Sequence, residues 1–460
     1  MPDLRISGAS ANDRSESDIR LNIYNPDLVV AASNDLVAAT MPQYVSTDGG
    51  ATWTTSSLPA QPGDIFQGDP EVDWSSDATI WSLALGLDGA FNLRLYAFSS
   101  PDNGATWNFD ATVSAAQLAA DREIIWVDHS ATSPFKDQVY AVWHNGTPVF
   151  FSRRTPGAGG TWSAPNQLSG AETTVLGIGA DVRTNANGDV FVFWPDADGS
   201  GNIVFVKSVD GGNIFTAPVV IANTFATTRR LAIPAASSRS LRVYISAGAY
   251  RTATKDMVYA VWSDLSGDAG CTTGGGPGSN ASSTCKTRVW FIRSADGGNT
   301  WSTPVKINNQ AGLNDQFHSR LCVDESNGLI VVTYHDTVAD SNRTQSHVYY
   351  QTSSDDGVSW SNAVQITSSP SDATGAAVDP QGFGYGDYDG LSGHHGTFFP
   401  CWTDFRNGVE EIWSSRLSLV PKQAYFVLDR SSFGQDEVNE RVGQLSRAQH
   451  SAARQSSADA

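Results

Sequence analysis

The chain has 460 residues and a formal charge of -19 at pH 7, which argues against nucleic acid or an anionic membrane as a partner. No run of 18 apolar residues is present, so no membrane insertion is expected. Fourteen Trp against three Met suit a fold whose aromatic packing recurs unit by unit.

In chain order, Asp3 to Ser7 is strand-like, and the octet Ser46-Thr47-Asp48-Gly49-Gly50-Ala51-Thr52-Trp53 follows. It returns at Ser100 to Trp107, Ser294 to Trp301 and Ser353 to Trp360; a worn copy runs from Ser208 to Phe215, and Ser152 to Trp162 reads as a copy broken by an insertion. The first four closing aromatics stand about 54 residues apart, room for four short strands and their turns. The longer step from Phe215 to Trp301 contains polar insertions around 235–255 and 265–286. Strand-like runs precede the octets at Leu93 to Phe98, Ile203 to Val206, Val289 to Ile292 and Val348 to Tyr350. The octet itself reads as a hairpin turn, with Asp binding backbone N–H groups and Gly accepting positive φ. A seventh unit, without an octet, has strands near Phe383 to Leu391, Thr397 to Trp402 and Glu411 to Leu417. It lacks a fourth strand, which the N-terminal segment is expected to supply, removing an exposed edge.

These octets resemble the Asp-box (BNR) repeat of sialidase-like β-propellers, over roughly residues 10 to 420. The resemblance implies an all-β fold, here a seven-bladed β-propeller over residues 1–420, with the octets as structural turns at the outer rim. Residues 421–460 read as a C-terminal appendage, strand-like at Ala424 to Asp429, helical in spacing from Asp436 to Gln449 and disordered at the end. Cys271 and Cys285 bracket a Gly/Ser-rich loop that a disulfide would staple. Cys322 and Cys401 fall in strands of blades six and seven, either bridged or as buried thiols. A loop disulfide points to a secreted or periplasmic setting, although no leader is visible in the chain.

In a propeller the starts of first strands and the ends of second strands meet at one mouth of the central channel. The chain places Glu16, Asp18 and Arg20, Asp69 and Glu71, Arg122 and Glu123, Arg229 and Arg230, His318 and Arg320, and Tyr385, Asp387, Tyr388 and Asp389 at first-strand starts. His144, Asp264, His335 and Asp404 with Arg406 follow aromatics at second-strand ends, and His394 and His395 read as belonging to the same face. Each carboxylate alone has an ordinary role as a cap between blades.

Three functions follow. The resemblance implies a sialidase-like glycoside hydrolase acting on an acidic glycan at the central funnel. Arg230, Arg320 and Arg406 would bind the substrate carboxylate, Tyr385 or Tyr388 would be the nucleophile assisted by Glu71, and Asp69 would be the acid/base. The chain lacks the Phe/Tyr-Arg-Ile-Pro segment ahead of the first octet, its nearest echo being Arg230 to Pro234, and it counts seven blades where those enzymes have six. A second reading is a lyase on uronic-acid polymers, with His318 or His335 as base and Tyr334, Tyr385 or Tyr388 protonating the leaving oxygen; Arg122, His144 and Asp404 are further substrate-binding candidates of the same face. A third is a non-catalytic glycan-binding propeller. The partner in all three is a carbohydrate and the chain is expected to act as a monomer. No cofactor is called for. A divalent cation on His318, His335 and Asp336 is conceivable, but no short ligand spacing supports it.

Overall fold

The computed structural model describes residues 3–9, 12–38, 40–236, 238–374 and 381–419, and the strand, helix and disordered end expected after 420 lie outside them. Those residues form no helix. They build seven antiparallel blade sheets, the first six being consecutive four-stranded meanders, with a short extra strand, Ser371–Asp372, added to the sixth. The seventh is closed by the N-terminus: Leu4–Arg5 pairs with Glu411–Ser414, with Leu4 opposite Ser414. The expected closing strand is therefore present, and the ring is a seven-bladed β-propeller.

The blades pack face to face through the alternate residues of their strands. Second-strand tryptophans Trp143, Trp194, Trp262 and Trp402 are all buried. Each burial contributes on the order of 2–3 kcal/mol, so the strand-end tryptophans belong to the core rather than to a sugar-stacking surface.

The octets fold alike. In the fifth blade Asp296 accepts the Thr300 N–H at 2.8 Å and the Thr300 hydroxyl at 2.6 Å, while Ser294 Oγ accepts the Gly298 N–H at 2.8 Å. The same three bonds recur at Ser46, Asp48 and Thr52. Gly298 has φ +83°, and a Cβ there would stand 2.5 Å from Phe205 Cζ of the preceding blade. Trp301 packs edge-on against the same Phe205. The octet thus closes one hairpin and clasps the neighbouring blade.

Two boundaries differ from expectation. The first strand of blade seven is Gly390–His394, so 383–389 is a loop. The insertion expected at 235–255 instead occupies 224–244, because Ile245–Arg251 is the first strand of blade five. It holds a small hairpin, Arg230–Leu231 paired with Leu241–Arg242. The second insertion is stapled by the expected Cys271–Cys285 disulfide. Cys322 and Cys401 are free thiols.

Candidate functional site

Four first strands share one device. In Arg14–Leu21, Asp64–Trp74, Ala120–Val127 and Gln316–Asp324 the pairing register breaks near the start, between Ser15 and Asp18, Gly68 and Glu71, Asp121 and Ile124, and Phe317 and Arg320. Each break holds a non-glycine residue in the left-handed region: Glu16 (φ 57°), Asp69 (53°), Arg122 (47°) and His318 (50°). Such bulges re-aim side chains and concentrate near functional sites. Here they set four ionisable groups around one end of the channel.

Two loops cover that end. The blade four–five connection brings Arg239, Arg242 and Tyr244, and the segment before blade seven brings Asp387, Tyr388 and Asp389. Arg239 Nε donates to Asp387 Oδ1 at 2.7 Å and its Nη2 to Glu16 Oε1 at 3.1 Å. Arg242 Nε lies 3.3 Å from Asp387 Oδ2, and the Tyr244 hydroxyl donates to the same oxygen at 3.3 Å. Gly386 is required at the crossing: with φ +75°, a Cβ would come within 2.5 Å of Glu16 Cγ. A recess lined by Arg242, Tyr244, His318, Asp387, Tyr388 and Asp389 lies beneath the loops.

The carboxyls at this mouth are driven apart in acidity. Burial and the neighbouring Glu16 push Asp69 well above the ordinary carboxyl value. Glu16 is itself raised by burial, and it is held by Asn34 Nδ2 at 2.6 Å and the Asp387 N–H at 2.9 Å. Burial also acts to raise Asp387, but the hydrogen bond and charge of Arg239, with Arg242, outweigh it and hold Asp387 low. Glu71 is pushed up to about 7 by burial and Asp18, against the pull of Arg122. Asp69 is half-buried, whereas Glu16 and Glu71 are closed off.

The arginines are matched by internal carboxylates. Arg122 donates to Glu71 Oε1 at 2.8 Å and lies 3.7 Å from the centroid of the Tyr388 ring. Arg20 donates to Asp18 at 2.8 Å, Arg320 stands 3.8 Å from Asp18, and Arg183 pairs with Asp181 at 2.6 Å.

Of the residues singled out in the sequence, the mouth gathers Asp69, Glu71, Arg122, His318, Arg320 and Tyr388. Others stand elsewhere. Arg230 is exposed on the connecting hairpin. Arg406 pairs with Asp3 and Asp404 and stacks on Trp413, so Arg230, Arg320 and Arg406 do not form one carboxylate clamp. Tyr385 lies beneath the mouth, its hydroxyl donating to the Ser371 carbonyl at 2.8 Å. His144 binds the Gly146 carbonyl through Nδ1 at 2.8 Å and faces Asp121. His335 is fully buried between Phe317 and Tyr385. His394 and His395 occupy the turn between the first two strands of blade seven, at the opposite end from the mouth. There His394, with His129, Tyr24, Arg251 and Glu325, lines a second, more open recess. In that recess the His129 imidazole is closed onto Asp73 at 2.9 Å. Asp18, Asp73 and Asp181 do cap backbone N–H groups of the next blade, at 3.1, 2.8 and 2.7 Å. Glu16, Arg239, Arg242, Tyr244 and Asp387 were not singled out as site residues. The polar strings at first-strand starts point to two of them, but the three on the long connection carry no signal.

No family model matches the chain, and no curated protein matches it. Among solved structures it is similar to a protein of unknown function from Dyadobacter fermentans (13% identity, covering 91% of this chain and 98% of that one, TM-score 0.43). It is also similar to the NanB sialidase of Streptococcus pneumoniae (10%, 80% and 71%, 0.47) and to the six-bladed, fucose-recognising Aleuria aurantia lectin (10%, 76% and 96%, 0.41). In architecture the described residues form a seven-bladed β-propeller.

Proposed function

We propose that the bulged mouth of the channel is a glycoside-hydrolysing site, with Asp69 as proton donor and Asp387 as the ionised carboxylate that acts on the opposite side of the bond. What supports this reading is the opposed acidity of two carboxyls of the mouth, Asp69 and Asp387, which sense each other's charge. Asp69 is held protonated by burial and Glu16; Asp387 is held ionised by Arg239 and Arg242. A donor and a carboxylate with separated pKa values are what acid-assisted glycoside cleavage requires. Tyr388, stacked on Arg122, forms an aromatic wall beside them.

The matched arginines bear on the substrate. Among the described residues, Arg122, Arg239 and Arg242 are each already engaged by an internal carboxylate, Arg239 and Arg242 sharing Asp387. This favours a neutral sugar at the cleaved bond over the acidic substrates that a sialidase or a uronate lyase takes. The Cys271–Cys285 disulfide is in keeping with action in an oxidising, extracellular compartment.

The test is a panel of aryl glycosides of neutral sugars, with a sialoside and an acidic polymer included. We expect release from at least one neutral glycoside and a bell-shaped kcat/KM profile. Activity is lost at low pH as Asp387 protonates, and lost at high pH as Asp69 ionises, with the alkaline limb above the ordinary carboxyl range. Cleavage of the sialoside alone, an unsaturated product from the polymer, or glycan binding with no turnover would each replace this reading.

A further inference from the structure

We propose that His318, His335 and Asp389 form a binding site for one zinc-class divalent ion at the seam between blades six and seven. His318 comes from the left-handed bulge of the first strand of blade six. His335 comes from that blade's second strand, Leu329–Asp336, and Asp389 from the residue just before blade seven. One ligand atom from each lies within 4.8 Å of the others, and all three residues are buried. His335 Nε2 stands 3.1 Å from Asp389 Oδ2, and His318 Nδ1 stands 4.0 Å from the same oxygen. Ligand atoms on one tetrahedral zinc, at bond lengths near 2.0–2.2 Å, are separated by roughly 3.3–3.6 Å, so small side-chain shifts would bring the set onto one ion.

Proton bookkeeping along the neighbouring hydrogen bonds strengthens the case. The Tyr385 hydroxyl donates its one proton to the Ser371 carbonyl. The Ser346 hydroxyl therefore donates to Tyr385, at 3.2 Å. Ser346 then has only lone pairs left for His335, so His335 Nδ1, at 3.0 Å, carries the proton. In a neutral His335 the Nε2 lone pair is consequently turned toward the Asp389 carboxylate. Two acceptors face each other at 3.1 Å, without hydrogen-bond geometry, and Nε2 has no partner. A cation between them removes the conflict. His318 is more exceptional: its side chain is 1% exposed, and neither ring nitrogen has a hydrogen-bond partner. Leaving such atoms dry and unpaired is costly, and a bound metal ion relieves that cost at the one nitrogen of each ring that ligates it.

The donor set selects the ion. Two imidazoles and one carboxylate suit zinc or its first-row neighbours and do not suit magnesium or calcium, which take oxygen. The remaining coordination position would face the recess with Tyr388 and Ser319. Arg242 and Arg320 line the same recess, but their charges are met by Asp387 and Asp18. The ion would fasten the 385–389 loop to blade six, and this inference stands independently of the hydrolysis reading. Sequence spacing did not reveal the set. Asp336, the neighbour expected to join the histidines, instead accepts from Asn314 at 2.6 Å and from Gln316 at 3.1 Å.

The experiment uses the untagged full chain, stripped with chelator and titrated with zinc chloride by calorimetry, with metal counted by mass spectrometry. We expect one zinc per chain. Loss of even a ligand's outer partner weakens binding about 10–100-fold, so His318→Gln and Asp389→Asn are each expected to weaken it by at least about 100-fold. A His394→Ala/His395→Ala variant is expected to bind as the parent does. No retained zinc, or undiminished zinc in His318→Gln, overturns the site. If a variant fails to fold by circular dichroism, X-ray absorption on the zinc-loaded parent decides: two imidazole donors support the proposal, and none overturns it.

Discussion

At the octet end of the blades, Asp48 and Asp296 each accept a threonine hydroxyl and backbone N–H groups from their own turn. At the mouth end, the Asp69 and Glu123 carboxyls sit among other buried acids. The residue chemistry is the same and the ionisation is opposite. Thr52 bonding holds Asp48 at about 2; around Asp296 burial acts to raise the carboxyl, but the bonds from Thr300, Ser294 and Asn299 together outweigh it and bring it to about 2. Burial and nearby like charge lift Asp69 and Glu123 far above the usual range. A carboxylate with its own local donors is a structural part that can be repeated blade after blade. One that depends on neighbours from other blades occurs once, and it is available for proton transfer.

The sharpest way to break this contrast is Asp69→Asn. If the mouth is the working end, kcat/KM on a neutral glycoside with a poor leaving group falls about 100- to 10,000-fold, and the loss shrinks with an activated aryl leaving group, which needs no protonation. The matching octet change, Asp296→Ala, leaves turnover unaltered in the same assay. Equal losses from both would erase the distinction between the two ends.

The next effect is in stability, and it belongs to the octet end. Gly298→Ala forces a left-handed residue and drives a methyl into Phe205, so denaturant unfolding should show a loss of roughly 3 kcal/mol. Asp296→Ala removes the acceptor of the turn, an arrangement like a helix N-cap, and should cost about 1 kcal/mol. This contribution has a pH signature. The folded value lies below the unfolded 3.8, so the stabilisation is intact above about 4 and is lost as pH falls through about 2.

These contrasts also explain what was legible. The octets, the third strands that precede them, the closing N-terminal strand and the 271–285 disulfide are local patterns, set by spacing and turn chemistry. The mouth is assembled from bulges at Glu16, Asp69, Arg122 and His318, which carry no glycine to announce positive φ. Its arginines Arg239 and Arg242 ride on an insertion whose path over the channel is fixed by contacts with Asp387 and Glu16, more than 140 residues away in sequence. The triad Arg230, Arg320 and Arg406 was chosen by residue type and position along the repeat. It failed because the blade four–five connection moved Arg230 off the first strand, and because Asp3 and Asp404 hold Arg406.

The smallest effect separates the two ends most cleanly. Glu123 is fully buried, and its side-chain oxygens have no hydrogen-bond partner. Its folded pKa lies well above the unfolded value of 4.5, so between those two values the folded chain holds a proton that the unfolded chain releases. That difference favours unfolding across the window from about 4.5 upward to the folded pKa. Glu123→Gln replaces a buried neutral acid with a neutral amide of the same shape and removes the ionisation available to the unfolded state. The variant should therefore melt a few degrees above the parent at pH 7, and the gap should close as pH falls through about 4.5. Asp296→Ala moves the other way, less stable than the parent at pH 7 and converging with it only below about 4. A Glu123→Gln chain that melts lower than the parent at pH 7 would mean that Glu123 is ionised and partnered in the fold, and that the mouth does not hold its acids by burial.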